Sequence, residues 1–272
     1  MRIVFSMRLA KLLGLALSAV ALLGLWGCAS KSGKSTYQAQ ETGSAPRSYR
    51  PLKVKNSCYV EAVHFCDFYA ARQVGGVNGW AKVLQWGDRQ NDFTVRGGHA
   101  VVIYQLKDHL WVYDINNGFL SLSPTPDKKL DLTLVTPQVF KRYPGMNPAH
   151  VRYVDDQPQS PEKNAPVYSV KAATTQELHD ALKVAIELGR FRPVRVIEFI
   201  APVDSYLRAC AVTVFRYGGK ICIYSPLSGT RLVDAPLASI DNLAQMEVLV
   251  KSVIPDSQDV KWFQPAKTTV IR

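Results

Sequence analysis

His99-Ala-Val-Val-Ile-Tyr-Gln-Leu-Lys-Asp-His-Leu-Trp-Val-Tyr-Asp114 can be laid on Cys210-Ala-Val-Thr-Val-Phe-Arg-Tyr-Gly-Gly-Lys-Ile-Cys-Ile-Tyr-Ser225 at a constant shift of 111, with apolar positions matching nearly throughout. Each stretch alternates about a two-residue turn, Lys107-Asp108 in the first and Gly218-Gly219 in the second, which predicts two antiparallel hairpins. Upstream, Gly76 to Trp86 (GVNGWAKVLQW) lies on Gly189 to Phe199 (GRFRPVRVIEF) at a shift of 113, and a helical pattern precedes each. A repeat of this length reads as a duplicated structural unit.

The units run from Pro51 to Asp155 and from Ala165 to Arg272. The polar stretch between them, Asp156 to Asn164 (DQPQSPEKN), carries two prolines and reads as a linker. In each unit a helix precedes a strand and then the hairpin. Ser57 to Gln73 is apolar on most faces, as a buried central helix requires, whereas Thr174 to Leu188 is amphipathic, with Leu178, Ala181, Leu182, Ala185 and Ile186 on one face and Thr174 or Thr175 as N-cap. The expected fold class is α+β: two tandem units, each a central helix packed on an antiparallel sheet.

The first unit carries the residue types of a cysteine nucleophile site, which needs a thiolate, an imidazole to take its proton and a third group to fix the ring. Cys58 opens the buried helix, where unpaired amides and the positive end of the dipole favour a thiolate. With Lys107-Asp108 as the turn, opposite residues have numbers summing to 215. Asp114 and Asn116 then share a face with His99, and either could orient its ring; Asp114 is preferred.

A Cys opening a helix, a Gly-Val segment about eighteen residues on, then His-Ala and an Asp fifteen residues after the His together resemble the transglutaminase-like branch of the papain-like cysteine proteases. Cys58, Gly76-Val77, His99-Ala100 and Asp114 occupy those places, and the likeness covers Asn56 to Gly118. The resemblance implies that Cys58 attacks an amide carbonyl, that His99 shuttles the proton, and that the Cys58 backbone N–H helps bind the oxyanion. No Gln precedes Cys58 at close range to add a side-chain donor, which leaves Asn56 or Tyr49 as candidates. The second unit has Cys210 in place of His99, Ser225 in place of Asp114 and no cysteine at the helix start, so it is expected to be a degenerate copy.

The N-terminus carries Arg2, Arg8 and Lys11, then an uncharged run of 14 residues from Leu12 to Leu25. That is the shape of a signal peptide spanning residues 1–27, and the run is shorter than the roughly 20 residues a spanning helix needs. Leu25-Trp26-Gly27-Cys28 resembles the lipobox of bacterial lipoproteins, which implies acylation of Cys28 and a permanent hold on the membrane. Residues 28–50, rich in Ser, Lys, Thr, Gln and Gly, read as a flexible tether. Ala29 following the lipidated cysteine favours the outer membrane, facing the periplasm.

The 272-residue chain has a formal net charge of +11, or +8 once residues 1–27 are removed. A basic surface outside the cytoplasm suits anionic lipid or cell-wall polymer better than nucleic acid, for which no binding motif is present. No phosphate-binding glycine loop or nucleotide fingerprint is visible, so no cofactor is expected. Cys58, His64 and Cys66 fall on different helix faces, unlike zinc ligands. Cys66, Cys210 and Cys222 are assigned to the core, with no bridge between the last two. The expected function is a membrane-tethered cell-envelope cysteine hydrolase acting on peptide, protein or cell-wall amides. The alternative is a non-catalytic envelope lipoprotein whose duplicated domains bind a protein or cell-wall partner.

Overall fold

The computed structural model describes residues 48–76, 79–87, 98–107, 109–124, 132–144, 146, 151–156 and 162–264. The expected signal peptide, Cys28, the expected tether up to residue 47, Val77, Asp108 and residues 157–161 of the expected linker lie outside the described residues. Among the described residues no helix is long and apolar enough to cross a membrane.

The chain is α+β, with four α-helices and two antiparallel five-stranded sheets among the described residues. Helix α1 (Cys58–Ala71) precedes β1 (Ala81–Trp86), the hairpin β2 (His99–Leu106) and β3 (His109–Asp114), β4 (Gly118–Pro124), α2 (Leu132–Arg142) and β5 (Val151–Val154). A second run follows: α3 (Gln176–Leu188), β6 (Val194–Val203), β7 (Tyr206–Tyr217), β8 (Lys220–Ser225), β9 (Gly229–Val233), α4 (Leu243–Val253) and β10 (Gln258–Trp262). The sheet orders are β4-β3-β2-β1-β5 and β9-β8-β7-β6-β10, the same topology twice.

The strand registers repeat as well. Trp86 opposite His99 corresponds to Phe199 opposite Cys210, and Val102 opposite Tyr113 to Thr213 opposite Tyr224. The edge strands follow the same rule, with Val151-Arg-Tyr-Val154 in the place of Val260-Lys-Trp-Phe263. The units differ beyond the Trp86–His99 pair. There β6 and β7 continue as a paired hairpin to Val203 and Tyr206, whereas β1 stops at Trp86 and β2 starts only at His99.

Alternation along the strands builds three cores. Ala100, Val102 and Tyr104 of the first sheet and Val196, Ala211 and Phe215 of the second share the inner core with α1 and α3. Val101 and Ile103 instead pack with Val135 and Val139 of α2, while Val212 and Val214 pack with Met246 and Val250 of α4. The two central helices therefore lie between the sheets, and α2 and α4 cover the outer faces. This explains why α1 is apolar almost all round: all but three of its residues are buried.

Charge also crosses between the units. Arg192, just before β6, grips Asp67 of α1 through both Nε and Nη2, with the Nε contact at 2.9 Å. Its Nη1 reaches Asp156 at 2.8 Å, and the guanidinium lies 4.9 Å from the Tyr217 ring centroid.

Two expectations need correction. Tyr49, placed in the tether, is a core residue: its ring packs edge-on to Phe65 at 4.9 Å and its hydroxyl donates to Glu61 Oε1 at 2.8 Å. An aromatic ring with a buried acceptor to reach has more to gain from packing than the surrounding polar residues suggest. The helix α1 is also shorter than Ser57 to Gln73, and Ser57 turns its hydroxyl back to the Val54 carbonyl at 2.7 Å.

In α3 the cap is Thr175, whose Oγ1 accepts the Leu178 N–H at 3.1 Å. Thr175→Ala is expected to cost about 1 kcal/mol in denaturant unfolding, with Thr175→Ser close to wild type.

Candidate functional site

His99 is the first residue of β2 and stands opposite Trp86, whose ring is 5.1 Å away and edge-on. Its Nε2 lies 3.0 Å from Asp114 Oδ1. An ionised carboxylate only accepts, so Nε2 carries the proton and Nδ1 is left with its lone pair. That tautomer is the one a proton acceptor for a thiol needs.

Asp114, the last residue of β3, is fully buried and surrounded by donors. Oδ1 also accepts the Asn116 backbone N–H at 2.8 Å, while Oδ2 accepts Asn117 Nδ2 at 2.7 Å and the Tyr143 hydroxyl at 2.6 Å. Burial pushes its carboxyl upward, but His99 and the other donors outweigh burial and hold it below the usual carboxylate range. The ring is thus fixed by an acceptor that is itself fixed.

Part of this arrangement belongs to the turn rather than to the dyad. In the second unit Ser225 Oγ accepts the Leu227 N–H at 3.2 Å, as Asp114 accepts Asn116. Gly118 and Gly229 close the two turns at φ 73° and 82°, where an L side chain would be strained. Asp114 and Ser225 therefore share a turn-closing task, and only Asp114 has an imidazole to orient.

Cys58 occupies the first position of α1. Glu61, one turn further on, meets the Tyr113 hydroxyl at 3.1 Å, and Tyr113 stands opposite Val102 in β2. Tyr69, near the helix end, donates to the Gln105 carbonyl. The helix thus runs alongside β2 in the same direction, which sets Cys58 level with the strand's first residues. Cys58 is 4% exposed and lies in the inner core that Ala100 lines, whereas the His99 ring packs against Trp86 and Tyr143. The structure joins His99 to Asp114 and places Cys58 at the same end of the sheet, in the core behind Ala100.

The remaining candidates are employed differently. Asn56, at φ 53°, donates from Nδ2 to the Pro226 and Leu227 carbonyls at 2.8 and 3.2 Å, so its amide grips the second unit and is no oxyanion donor. Tyr224 adds a bond from its hydroxyl to the Lys55 carbonyl at 2.6 Å. The β8–β9 turn of the second unit thus holds the residues immediately before α1. Tyr49, the other oxyanion candidate, is committed to Glu61. Asn116 has an exposed side chain and serves Asp114 through its main chain, so it does not orient the ring.

Asn56→Ala loses both side-chain bonds and puts a residue without Asn's tolerance at positive φ. It is expected to destabilise by about 1–3 kcal/mol in denaturant titration, with Asn56→Gly recovering the backbone part.

Trp86, Asn117 and Tyr143 are the site residues that sequence reasoning missed. Trp86 was recoverable from register, being the residue opposite His99. Tyr143 comes just after α2 and had no local signal. The other described thiols are core groups: burial pushes Cys66 and Cys210 upward, and Cys222 up to about 12. Cys210 faces the outer core and Cys222 the inner one, so they point to opposite sides of their sheet. No cluster of three His, Cys, Asp or Glu able to hold a metal occurs among the described residues. Comparison with family models, with curated proteins and with solved structures finds no match to this chain.

Proposed function

We propose that the first unit is a cysteine hydrolase or acyltransferase of transglutaminase-like type, carried on a lipoprotein anchored through Cys28 in the cell envelope. The His99–Asp114 pair carries this reading. It is a carboxylate held by four donors that fixes an imidazole in its Nε2–H form, at the end of the sheet where α1 begins with Cys58. In the reaction, Nδ1 would accept the Cys58 proton around the first residue of β2 and the thiolate would attack an amide carbonyl. The Cys58 N–H would stabilise the oxyanion, and the imidazolium would protonate the leaving amine. The second unit, with Cys210 and Ser225 at the dyad positions and Gln176 opening its helix, is a degenerate papain-like copy that braces the start of α1.

A non-catalytic binding lipoprotein is favoured by one observation: Cys58 is buried and shares its core with Ala100. Alkylation separates the readings. A thiol paired with His99 reacts below pH 7 and loses that reactivity in His99→Ala, whereas a core thiol is inert in both proteins.

A further inference from the structure

A groove of about 490 Å³ runs between α1 and α3, where the central helices of the two units meet. Its size is that of a small-molecule site, and such sites favour interfaces between units. Leu52, Phe68 and Phe191 supply an apolar floor. Arg50, Arg72, Lys183 and Arg190 stand around it, and among its described lining residues Glu187 is the only acidic one. Glu187 pairs with Arg190 at 3.1 Å, while Arg50, Arg72 and Lys183 have no ion pair among the described residues.

His64 and Tyr49 are buried polar side chains of its wall. His64 is 6% exposed and lines the groove. Its Nδ1 lies 3.1 Å from the Tyr49 hydroxyl oxygen, which gives its own proton to Glu61. Nδ1 is therefore the protonated nitrogen, and Nε2 is a lone-pair acceptor with no hydrogen-bond partner among the described residues. Burial, together with Arg190, lowers the ring's affinity for a proton to a pKa of about 4, so it stays neutral near pH 7. The groove thus has a cationic rim, an apolar floor and one neutral acceptor at its inner wall.

We infer that this groove binds a small anionic amphiphile. A phosphate or carboxylate head meets Lys183 and the rim arginines, an apolar body lies on Phe68 and Phe191, and a hydroxyl or amino donor on the ligand, where present, reaches His64 Nε2. The site is separate from the His99–Asp114 dyad and does not depend on the hydrolase reading. Head and body both contribute, so neither inorganic phosphate nor a cationic amphiphile is a ligand of comparable strength.

The test is calorimetric titration of the full chain with octyl phosphate below its micelle concentration, beside inorganic phosphate and octyltrimethylammonium. Saturable one-to-one binding of octyl phosphate is expected, at least tenfold tighter than either control. It should weaken at least tenfold in Arg72→Glu/Lys183→Glu and separately in Arg50→Glu; Arg50 and Arg72 are exposed and Lys183 half-buried, and the folding of each variant is checked by circular dichroism. Dihexanoyl phosphatidylglycerol distinguishes the sources: tighter binding than octyl phosphate assigns the site to a lipid headgroup, weaker binding to a free single-chain amphiphile. No saturable binding of octyl phosphate, or binding indifferent to both charge reversals, overturns the inference.

Discussion

Replacing Arg192 by Met is expected to destabilise the protein by about 3–5 kcal/mol, among the largest effects of any single substitution, because it removes one partner of a buried ion pair and strands the other. Arg192 and Asp67 are each 1% exposed. Asp156, the second carboxylate on the guanidinium, is 15% exposed and can turn to water. Asp67 cannot, since it sits mid-helix between the two sheets. Burial pushes its carboxyl above the usual range and Arg192 pulls it back. Without Arg192 the folded-state pKa rises further above the unfolded value of about 3.9. The neutral form of Asp67 then stabilises the fold below that unfolded value, and this stabilisation is lost as pH rises through the folded pKa. Urea titrations should therefore show the deficit of Arg192→Met to be largest near pH 7.5 and smaller at pH 5. Arg192→Met/Asp67→Leu should recover much of it at both. A deficit under about 1 kcal/mol, or one indifferent to pH, would mean that the clasp does not hold the units together.

That clasp was invisible in the sequence for a simple reason: its partners are 125 residues apart, and Asp67 lies in a helix whose other residues are nearly all apolar. What was legible was local. The hairpins β2–β3 and β7–β8 followed from alternation around a two-residue turn, and the predicted sum of 215 is the observed pairing of Val102 with Tyr113. The duplication followed from the same segments, because β-pairing preserves spacing over a whole hairpin. The edge strands were not legible. Val151-Arg-Tyr-Val154 and Val260-Lys-Trp-Phe263 are equivalent in the sheets, but four residues carry too little pattern to align beforehand. Helix α2 carries Pro137 inside its span, which argues against a helix there in the sequence, and with it went Tyr143.

The site was half legible for a related reason. Strand parity placed His99 and Asp114 on one face, and their hydrogen bond is the result. Parity alone could not say which face α1 covers. The structure answers through Ala100, Val102 and Tyr104, the alternate set, which pack on the helix. The cysteine hydrolase reading therefore depends on what happens at the end of β2, where His99 is the first residue of the strand and Cys58 the first of the helix.

Alkylation of Cys58 by iodoacetamide tests that end of the sheet directly. Cys66, Cys210 and Cys222 have their thiols pushed upward by burial, so peptide mapping below pH 8 reads Cys58 with little competition among the described cysteines. If His99 Nδ1 holds the Cys58 proton, thiolate persists well below the ordinary thiol pKa of about 8.5, and labelling at pH 6 should exceed that of a free thiol by roughly a hundredfold. His99→Ala should remove that excess. Asp114→Asn should remove most of it, since an amide no longer stabilises the imidazolium, while Tyr143→Phe, which takes one donor from Asp114, should have a smaller effect. The Asp114 carboxyl is held below the usual range, so it stays ionised and keeps its hold on the ring across the acidic arm of the profile, whose lower limit is the protonation of the Cys58 thiolate itself. A thiol that labels only above pH 8, or equally in wild type and His99→Ala, would leave the first unit with a well-made dyad and no nucleophile beside it, and the binding-lipoprotein reading would replace the hydrolase.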